Sequence, residues 1–372
     1  MKILIVSTYY EPYKSGMTAY VKILAEGLAK KGHKVTILTS RFRRDLLKDE
    51  IVNGVKIIRI PVLIKVSKGC IMPSFVSVLR KLARENDVVN LHAPMFEIWF
   101  ATLAVPREKI VVTYHCDLSL RNKFVESIYY GFLFKALRKG LRVVVNNLDY
   151  HKNSRIRNFP ADEIFPPVKM ELKYCNPKIF RREIGLKNNK DEKIVGFLGR
   201  LVEEKGVEFL INAVPFIKEK KFKILIAGAN EIAGGSLSIK LRNDAKKFGE
   251  RIRFIGEIPE QRLAEFYSLC DVFVLPSVGS LESFGLVQIE AMLCGCPVVA
   301  TDLAGVRKSI DLTKMGLVVK QRDSKALGEA ITKIILNRKK FVLPRDKILE
   351  TFDNENCFER YERVFTKVQK IK

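Results

Sequence analysis

The chain of 372 residues has no long apolar run. A membrane-spanning helix needs about 20 consecutive apolar residues, and the best stretches, at 98–105 and 128–137, are short and interrupted. The first residues, MKILIVS, lead into a polar loop that offers no cleavage site for a secretory signal. These features predict a cytoplasmic protein.

The sequence also lacks the residue spacings that are typical of a metal or redox centre. The seven cysteines are scattered, apart from Cys294 and Cys296, and no Asp-x-Asp pair occurs. Neither a disulfide framework nor a zinc site fits that spacing. A Gly-x-Gly-x-x-Gly sequence after a strand, which a nicotinamide oxidoreductase would need, is missing too. We therefore expect no metal and no cofactor.

Charged residues, in contrast, are abundant, and the positive ones predominate. The net charge is +25, and residues 1–186 carry 33 Lys and Arg against 16 Asp and Glu. Such a field attracts nucleic acid, anionic lipid or a phosphorylated substrate. A solvated, lysine-rich surface of the kind found in heat-stable proteins explains it equally well, so charge alone does not choose a partner.

Strand and helix patterns alternate along the chain. Apolar strands are predicted at 2–7, 34–39, 55–60, 87–91, 110–114 and 141–146, and after a proline-rich break a second series follows at 194–198, 223–227, 252–255, 272–275 and 297–300. This order predicts an α/β protein with two doubly wound, Rossmann-like domains. We place them at 1–170 and 171–353, with an amphipathic helix at 354–372. Ligands bind at the carboxyl ends of such sheets, which predicts a site in an interdomain cleft.

The segment from Glu282 to Glu290, ESFGLVQIE, is the most informative one. It follows the predicted strand 272–275 and opens a helix at 284–294, for which Ser283 is a suitable N-cap. Glu290 falls on the apolar face of that helix, where a carboxylate is costly unless a partner donates hydrogen bonds to it. Two carboxylates separated by a helix N-terminus fit a sugar, a diphosphate and a ribose. A single glutamate here would suggest only a surface helix.

Cationic and histidine residues follow other predicted strands. Gly199 permits close backbone approach after the first strand of the second domain, and Arg200 and Lys205 are placed to hold a diphosphate. In the first domain, Gly16 closes the first strand–helix loop. His92, His115 and Asp117 lie at strand ends, whereas we expect a structural role for His33 and a surface position for His151.

These motifs resemble those of family 4 glycosyltransferases of the GT-B fold. Residues 275–307, LPSVGSLESFGLVQIEAMLCGCPVVATDLAGVR, are similar to the most specific signature of that family. Residues 199–206 look like its phosphate motif, and TYHCD at 113–117 and LHAP at 91–94 look like its acceptor-domain motifs. The resemblance is strongest to bacterial and archaeal enzymes that build polysaccharides and lipid-linked glycans. Two departures are Ser15, where the family often has glycine, and the linker sequence at 165–168.

The resemblance implies a retaining transfer of a mannose- or glucose-type hexose from a UDP- or GDP-sugar to a glycan or lipid-linked acceptor. It also implies that the helix at 354–372 packs back on the first domain. It implies that Glu290 binds the ribose, and that Glu282 and the amides of Phe284 and Gly285 hold the hexose. Arg200 and Lys205 would neutralise the diphosphate, and His115 would contact the sugar. Further implied contacts to the donor come from Gly16, Gly199, Ser283 and Leu286, and on the acceptor side from His92 and Asp117.

Other functions remain open at this point. A nucleotide-sugar epimerase or a sugar phosphorylase can share the fold, and a non-catalytic basic nucleic-acid or membrane binder would explain the charge but not the two glutamates. We expect no nucleic-acid partner. Basic segments with apolar residues at 41–44, 62–84 and 121–139 suggest peripheral contact with an anionic membrane on its inner face.

Overall fold

The computed structural model describes residues 1–66, 69–120, 122–138, 141–187, 189, 191–228, 237–279 and 281–369. The chain divides into two compact units. The first comprises Met1–Pro167 together with Asp353–Lys372, and the second comprises Val168–Phe352. The boundary at 167/168 lies close to the one predicted at 170/171. Within the described residues, no helix is both long and apolar enough to cross a membrane.

The first unit is built on an eight-stranded sheet in the order β10-β9-β8-β7-β1-β2-β4-β3, parallel except for β3 against β4. Its strands and those of a separate hairpin, β5–β6, are β1 (Lys2–Val6), β2 (Lys34–Arg41), β3 (Asp49–Val52), β4 (Val55–Pro61), β5 (Ile64–Val66), β6 (Gly69–Ile71), β7 (Val88–Ala93), β8 (Ile110–Tyr114), β9 (Arg142–Val145) and β10 (Asp162–Glu163). Ile3, Leu4 and Ile5 are fully buried, as expected for a central strand covered on both faces.

The helices of the first unit cover both faces of this sheet. They are α1 (Gly16–Lys30), α2 (Phe75–Glu85), α3 (Ile98–Ala104), α4 (Lys123–Leu137), α5 (Leu148–Asn153) and, at the end of the chain, α14 (Asn354–Gln369). Helix α14 packs against α1, where Phe358, Tyr361 and Phe365 join the core formed by Tyr20, Leu24 and Leu28. The apolar stripe of the terminal segment is therefore buried within the first unit.

The second unit has a six-stranded parallel sheet in the order β13-β12-β11-β14-β15-β16. Its strands are β11 (Lys193–Leu198), β12 (Phe222–Ala227), β13 (Ile252–Gly256), β14 (Val272–Leu275), β15 (Val298–Thr301) and β16 (Gly316–Val319). Its helices are α6 (Lys178–Glu183), α7 (Val207–Asn212), α8 (Ser238–Ala245), α9 (Leu263–Leu269), α10 (Leu286–Leu293), α11 (Val306–Thr313), α12 (Ser324–Leu336) and α13 (Arg345–Thr351). This is the strand order of a dinucleotide-binding domain.

Candidate active site

In the second unit, the strand order reverses between β11 and β14. Ligands of doubly wound sheets bind at such a switch point, beyond the carboxyl ends of the strands. The loops that follow the two strands touch here, since Val278 N donates to Glu204 O at 2.9 Å. Gly206 has a φ of 62°, and a Cβ on it would lie 2.0 Å from Pro276 O, so only glycine permits this contact.

The contact between these loops brings Lys205 to Glu282. The Lys205 ammonium donates to Glu282 Oε2, and Ser277 Oγ donates to the same oxygen at 3.4 Å. The two charged side chains are 19% and 15% exposed, so both are largely shielded yet open to a ligand. A cation and an anion thus stand together at the switch point, able to hold a phosphate and sugar hydroxyls, respectively.

The helix after β14 begins later than the sequence predicts. Helix α10 starts at Leu286, with Gly285 in the N-cap position at a φ of 74°. The prediction that Ser283 caps this helix was wrong, because Ser283 lies two residues before the cap. The positive φ at Gly285 strains any residue with a side chain and therefore favours glycine at this position. Phe284 is buried and Leu286 half-buried.

Glu290 is buried inside the protein, as its position on the apolar face of α10 predicts. The hydrogen bond that this burial requires comes from Tyr267 on α9, whose Oη donates to Glu290 Oε2 at 2.8 Å. Lys169 Nζ lies 4.0 Å from Glu290 Oε1. Burial raises the pKa of Glu290, against the opposing effects of Lys169 and Tyr267.

Gly199 and Arg200 follow β11 directly. A Cβ on the neighbouring Gly228 would lie 1.9 Å from Gly199 O, so the backbones of the two loops approach closely there. Arg200 is exposed, and the described residues offer it no ion pair. Its guanidinium is accessible to an anion at the same edge as Lys205.

In the first unit, the structure places His92 and His115 against each other. His92 Nδ1 and His115 Nε2 are 2.8 Å apart, and His92 Nε2 lies 2.7 Å from Asn90 Oδ1. The ring of Tyr20 packs edge-on against His115. Burial lowers the pKa of His115 to about 3, so this imidazole is neutral. Both ring nitrogens of His92 have hydrogen-bond partners inside the first unit, so neither is available to bind an acceptor substrate.

Asp117 is also occupied. Its Oδ1 accepts hydrogen bonds from Tyr114 Oη at 2.6 Å and from Arg155 N at 3.1 Å, and its backbone N–H donates to Tyr150 Oη at 2.7 Å. These bonds fix the loop after β8. Asp117 therefore holds the segment that carries His115 in its position.

The loop after β1 ends in a capping box. Ser15 Oγ accepts from Thr18 N at 3.1 Å, and Ser15 N donates to Thr18 Oγ1 at 2.9 Å. Serine at the position that is often glycine in the resembling family thus starts α1. Gly16 follows with open space where a Cβ would stand, so its backbone is approachable.

Sequence reasoning missed Asn90, Glu97 and Tyr267. Asn90 lies two residues before His92 on β7, and alternation along a strand could have placed both on one face. Glu97 is buried beside the switch point between β1 and β7. There Thr8 Oγ1 donates to its Oε2 at 3.3 Å, and burial raises its pKa to about 7. Tyr267 reaches Glu290 through helix packing and leaves no local pattern.

The two remaining histidines contact other parts of the first unit. His33 Nε2 lies 2.6 Å from Glu362 and its Nδ1 lies 3.1 Å from the amino terminus, and its structural role stays a prediction. The prediction of a surface position for His151 was wrong, because its ring is buried and Nε2 lies 3.2 Å from Ile156 O. Among the residues the structure describes, no three His, Cys, Asp or Glu side chains cluster as metal ligands would.

Two family sequence models match the chain in succession. "Glycosyltransferase Family 4" matches residues 14–163, and "Glycosyl transferases group 1" matches residues 180–346. The chain belongs to the group 1/family 4 glycosyltransferases. The second of these matches includes the β11/β14 switch-point loops described above.

One relative and two solved structures match the chain over nearly its whole length. Phosphatidyl-myo-inositol mannosyltransferase of Mycobacterium leprae is 28% identical over 99% of this chain and 97% of its own length. Sucrose-phosphate synthase of Thermosynechococcus elongatus superposes with a TM-score of 0.79 at 21% identity, each chain covered completely. HepE of Anabaena, in complex with UDP and glucose, superposes with a TM-score of 0.77 at 18% identity over 99% of this chain and all of its own. The fold of the transferase is therefore GT-B, as predicted.

Proposed function

We propose that this glycosyltransferase moves a mannose- or glucose-type hexose from a nucleoside diphosphate sugar to a glycan or lipid-linked acceptor, with retention of the anomeric configuration. The pairing of Lys205 with Glu282 at the β11/β14 switch point is the observation that carries the proposal. An epimerase or a phosphorylase would also need a donor site, but the family to which the chain belongs transfers glycosyl groups.

The donor is assigned to the Val168–Phe352 unit. Glu290 would accept hydrogen bonds from the ribose hydroxyls, and Tyr267 would hold its carboxylate in place. Glu282, beside the backbone amides of Phe284 and Gly285, would accept from hexose hydroxyls. The solved complex of HepE with UDP and glucose belongs to the same fold and supports a donor of this class.

The departing diphosphate is assigned to Lys205 and Arg200. Charge develops on the leaving oxygen as the glycosidic bond breaks, and fixed cations lower the energy of that state. A diphosphate would compete with Glu282 for the Lys205 ammonium, which would release the carboxylate for the sugar. Two cations at this edge support catalysis without a metal ion. His115 would contact the hexose from the first unit.

The acceptor is assigned to the first unit, which carries exposed apolar side chains on α3, on α4 and just before α3. We call this set of side chains the α3/α4 patch. It consists of Phe96, Phe100, Leu103, Phe124, Ile128 and Phe132, each more than 40% exposed. Trp99 and Phe132 join the helices at a ring distance of 4.8 Å, and Lys135 Nζ lies 5.1 Å from the Trp99 ring. Aromatic side chains rimmed by cations are suited to an anionic lipid surface.

Other basic segments contribute less to this surface. In 62–84, Leu63, Ile64 and Ile71 on the hairpin are exposed, but Met72, Phe75 and Leu79 are buried and unavailable to lipid. Arg41 folds back, since its Nε donates to Leu46 O at 2.6 Å. Lys68, Arg121 and Lys139 lie outside the described residues. The named acceptor of the mycobacterial relative, phosphatidyl-myo-inositol, supports an acceptor at a lipid surface.

Donor turnover tests the proposal directly. UDP- and GDP-hexoses are incubated with the protein and with lipid or glycan acceptors, while nucleoside diphosphate release and the anomeric configuration of the product are followed by NMR. We expect acceptor-dependent release with retention, unchanged by EDTA. Inversion, an epimerised donor, or activity that EDTA abolishes and magnesium restores would each contradict a part of it.

A further inference from the structure

A chain of buried hydrogen bonds runs from a backbone carbonyl of β8 to His115. Asn90 Nδ2 lies 3.2 Å from Val111 O and 2.9 Å from Thr113 Oγ1, and Asn90 Oδ1 lies 2.7 Å from His92 Nε2. His92 Nδ1 in turn lies 2.8 Å from His115 Nε2. Asn90 and His92 are fully buried, so each polar atom must find its partner inside the protein.

The positions of the protons along this chain follow from the first contact. A carbonyl oxygen such as Val111 O can only accept, so the group of Asn90 that faces it is the NH2. The other atom, Oδ1, must then accept from His92, which places a proton on His92 Nε2. A neutral His92 carries no second proton, and its Nδ1 is an acceptor. His115 must therefore donate from Nε2.

The proton on Nε2 determines the state of Nδ1, the other ring nitrogen of His115. A neutral imidazole with its proton on Nε2 has a lone pair on Nδ1. No hydrogen bond to any described residue engages this Nδ1. A hydroxyl group approaching it would find an acceptor, and not a donor.

We propose that Asn90, through His92, fixes His115 in the tautomer that leaves Nδ1 as the hydrogen-bond acceptor for a hydroxyl of the transferred sugar. Asn90 and His92 are positioning residues for the reaction. The contact of His115 with the sugar rests on the function proposed above, whereas the tautomer depends on the first unit alone.

The surroundings keep both imidazoles neutral. Burial lowers the pKa of His92, and the neighbouring His115 lowers it further. From α1, Tyr20 packs against both rings, and from α14, Tyr361 lies 3.1 Å from Thr113 Oγ1, with Cys357 beyond it. Burial raises the pKa of all three groups, so they retain their protons. From the loop after β8, Asp117 is hydrogen-bonded to Tyr114.

Nitrogen NMR of the wild-type protein tests the tautomer without any variant. The 15N shift of an imidazole nitrogen separates a protonated nitrogen from a bare one, and only four histidines need assignment. We expect Nε2 protonated and Nδ1 bare in both His92 and His115. A proton on Nδ1 of His115 would overturn the proposal, whatever the activity of the protein.

Asn90→Asp tests the functional consequence. A carboxylate next to His92 Nε2 raises the pKa of the histidine pair, and a doubly protonated His92 donates from Nδ1, which forces His115 to carry its proton on Nδ1. We expect kcat of Asn90→Asp to gain an acidic limb that the wild type lacks, with at least a tenfold loss at low pH and recovery as the pH rises. Asn90→Leu should lose activity at every pH.

Asn86→Asp is the matched control. Asn86 is also buried in the first unit and donates from Nδ2 to a backbone carbonyl, Leu82 O at 2.8 Å, but among the described residues no hydrogen bond joins it to a histidine. This variant should lose stability without a new pH limb. An identical limb in both variants, or none in Asn90→Asp, would overturn the role of Asn90. A correct tautomer together with a fully active His115→Ala would instead refute the sugar contact and leave the tautomer standing.

Discussion

Tyr267 donates a hydrogen bond to Glu290 across the α9–α10 contact, with 2.8 Å between Oη and Oε2. The phenol is fully buried, and its partner carboxylate is nearly so. A buried carboxylate lowers the stability of the protein, so its presence here indicates a role other than stability. We assign to Glu290 the role of binding the ribose of the donor.

Replacing Glu290 with glutamine should therefore stabilise the protein. Because burial raises the pKa of Glu290, the native state holds this proton to a higher pH than the unfolded chain does. The free energy of unfolding then falls as the pH rises from the ordinary glutamate pKa through the raised one. Glu290→Gln has no such loss.

We expect Glu290→Gln to melt at a higher temperature than the wild type at neutral pH and at the same temperature below the ordinary glutamate pKa. Thermal unfolding from pH 4 to pH 8 measures this difference. Equal melting curves at neutral pH would show that the charge of Glu290 carries no cost.

Lys205→Ala should lower kcat/KM strongly and leave the fold nearly unchanged. Loss of a fixed positive group beside the leaving diphosphate removes about 2–4 kcal/mol of transition-state stabilisation, by analogy with the removal of an oxyanion donor. Steady-state kinetics give this value from kcat/KM. Lys223→Ala is the control, since Lys223 is similarly shielded at 18% exposure and ion-paired with Glu192 and Glu250. Similar losses in the two variants would argue against a diphosphate at Lys205.

Ser15→Ala should destabilise the first unit by about 1 kcal/mol, because it removes the side-chain half of the α1 capping box. Chemical denaturation measures the change. Gly16, the first residue of α1, is unchanged in this variant, so donor affinity should stay within about a factor of three. A large loss of affinity without a loss of stability would indicate that Ser15 itself contacts the donor.

The α3/α4 patch should bind anionic vesicles. We expect the wild type to co-sediment with vesicles containing anionic lipid, to dissociate as salt rises, and to ignore neutral vesicles. The double variant Phe100→Ser, Phe124→Ser should bind at least tenfold more weakly. Leu336→Ser removes a similarly exposed apolar side chain, 69% exposed, from the second unit and serves as the control. Unchanged binding of the double variant would exclude the α3/α4 patch as the membrane-binding surface. Failure of the wild type to bind anionic vesicles at low salt would exclude membrane contact.

The central strands could be predicted because a sheet covered on both faces needs continuous apolar runs. Strand β3 was missed because three of its four residues are exposed at the sheet edge, and β16 because four residues carry little pattern. The position of Glu290 on an apolar helix face could be predicted from the sequence, but its hydrogen-bond partner could not. Tyr267 lies 23 residues away on another helix, and only tertiary packing joins the two. The start of α10 depends on the left-handed backbone at Gly285, which outweighed the capping preference of Ser283.

Calorimetric titration of UDP and GDP tests the donor site most directly. The account predicts that one of the two nucleotides binds the wild type and that Glu290→Gln binds it at least tenfold more weakly, since a hydrogen bond to a charged group contributes about 1.5–3 kcal/mol. Glu192→Gln, which alters a glutamate of 17% exposure that is paired with Arg181 and Lys223, should bind like the wild type. Failure of the wild type to bind either nucleotide, or equal affinity in Glu290→Gln, would contradict the assignment of the donor to this site.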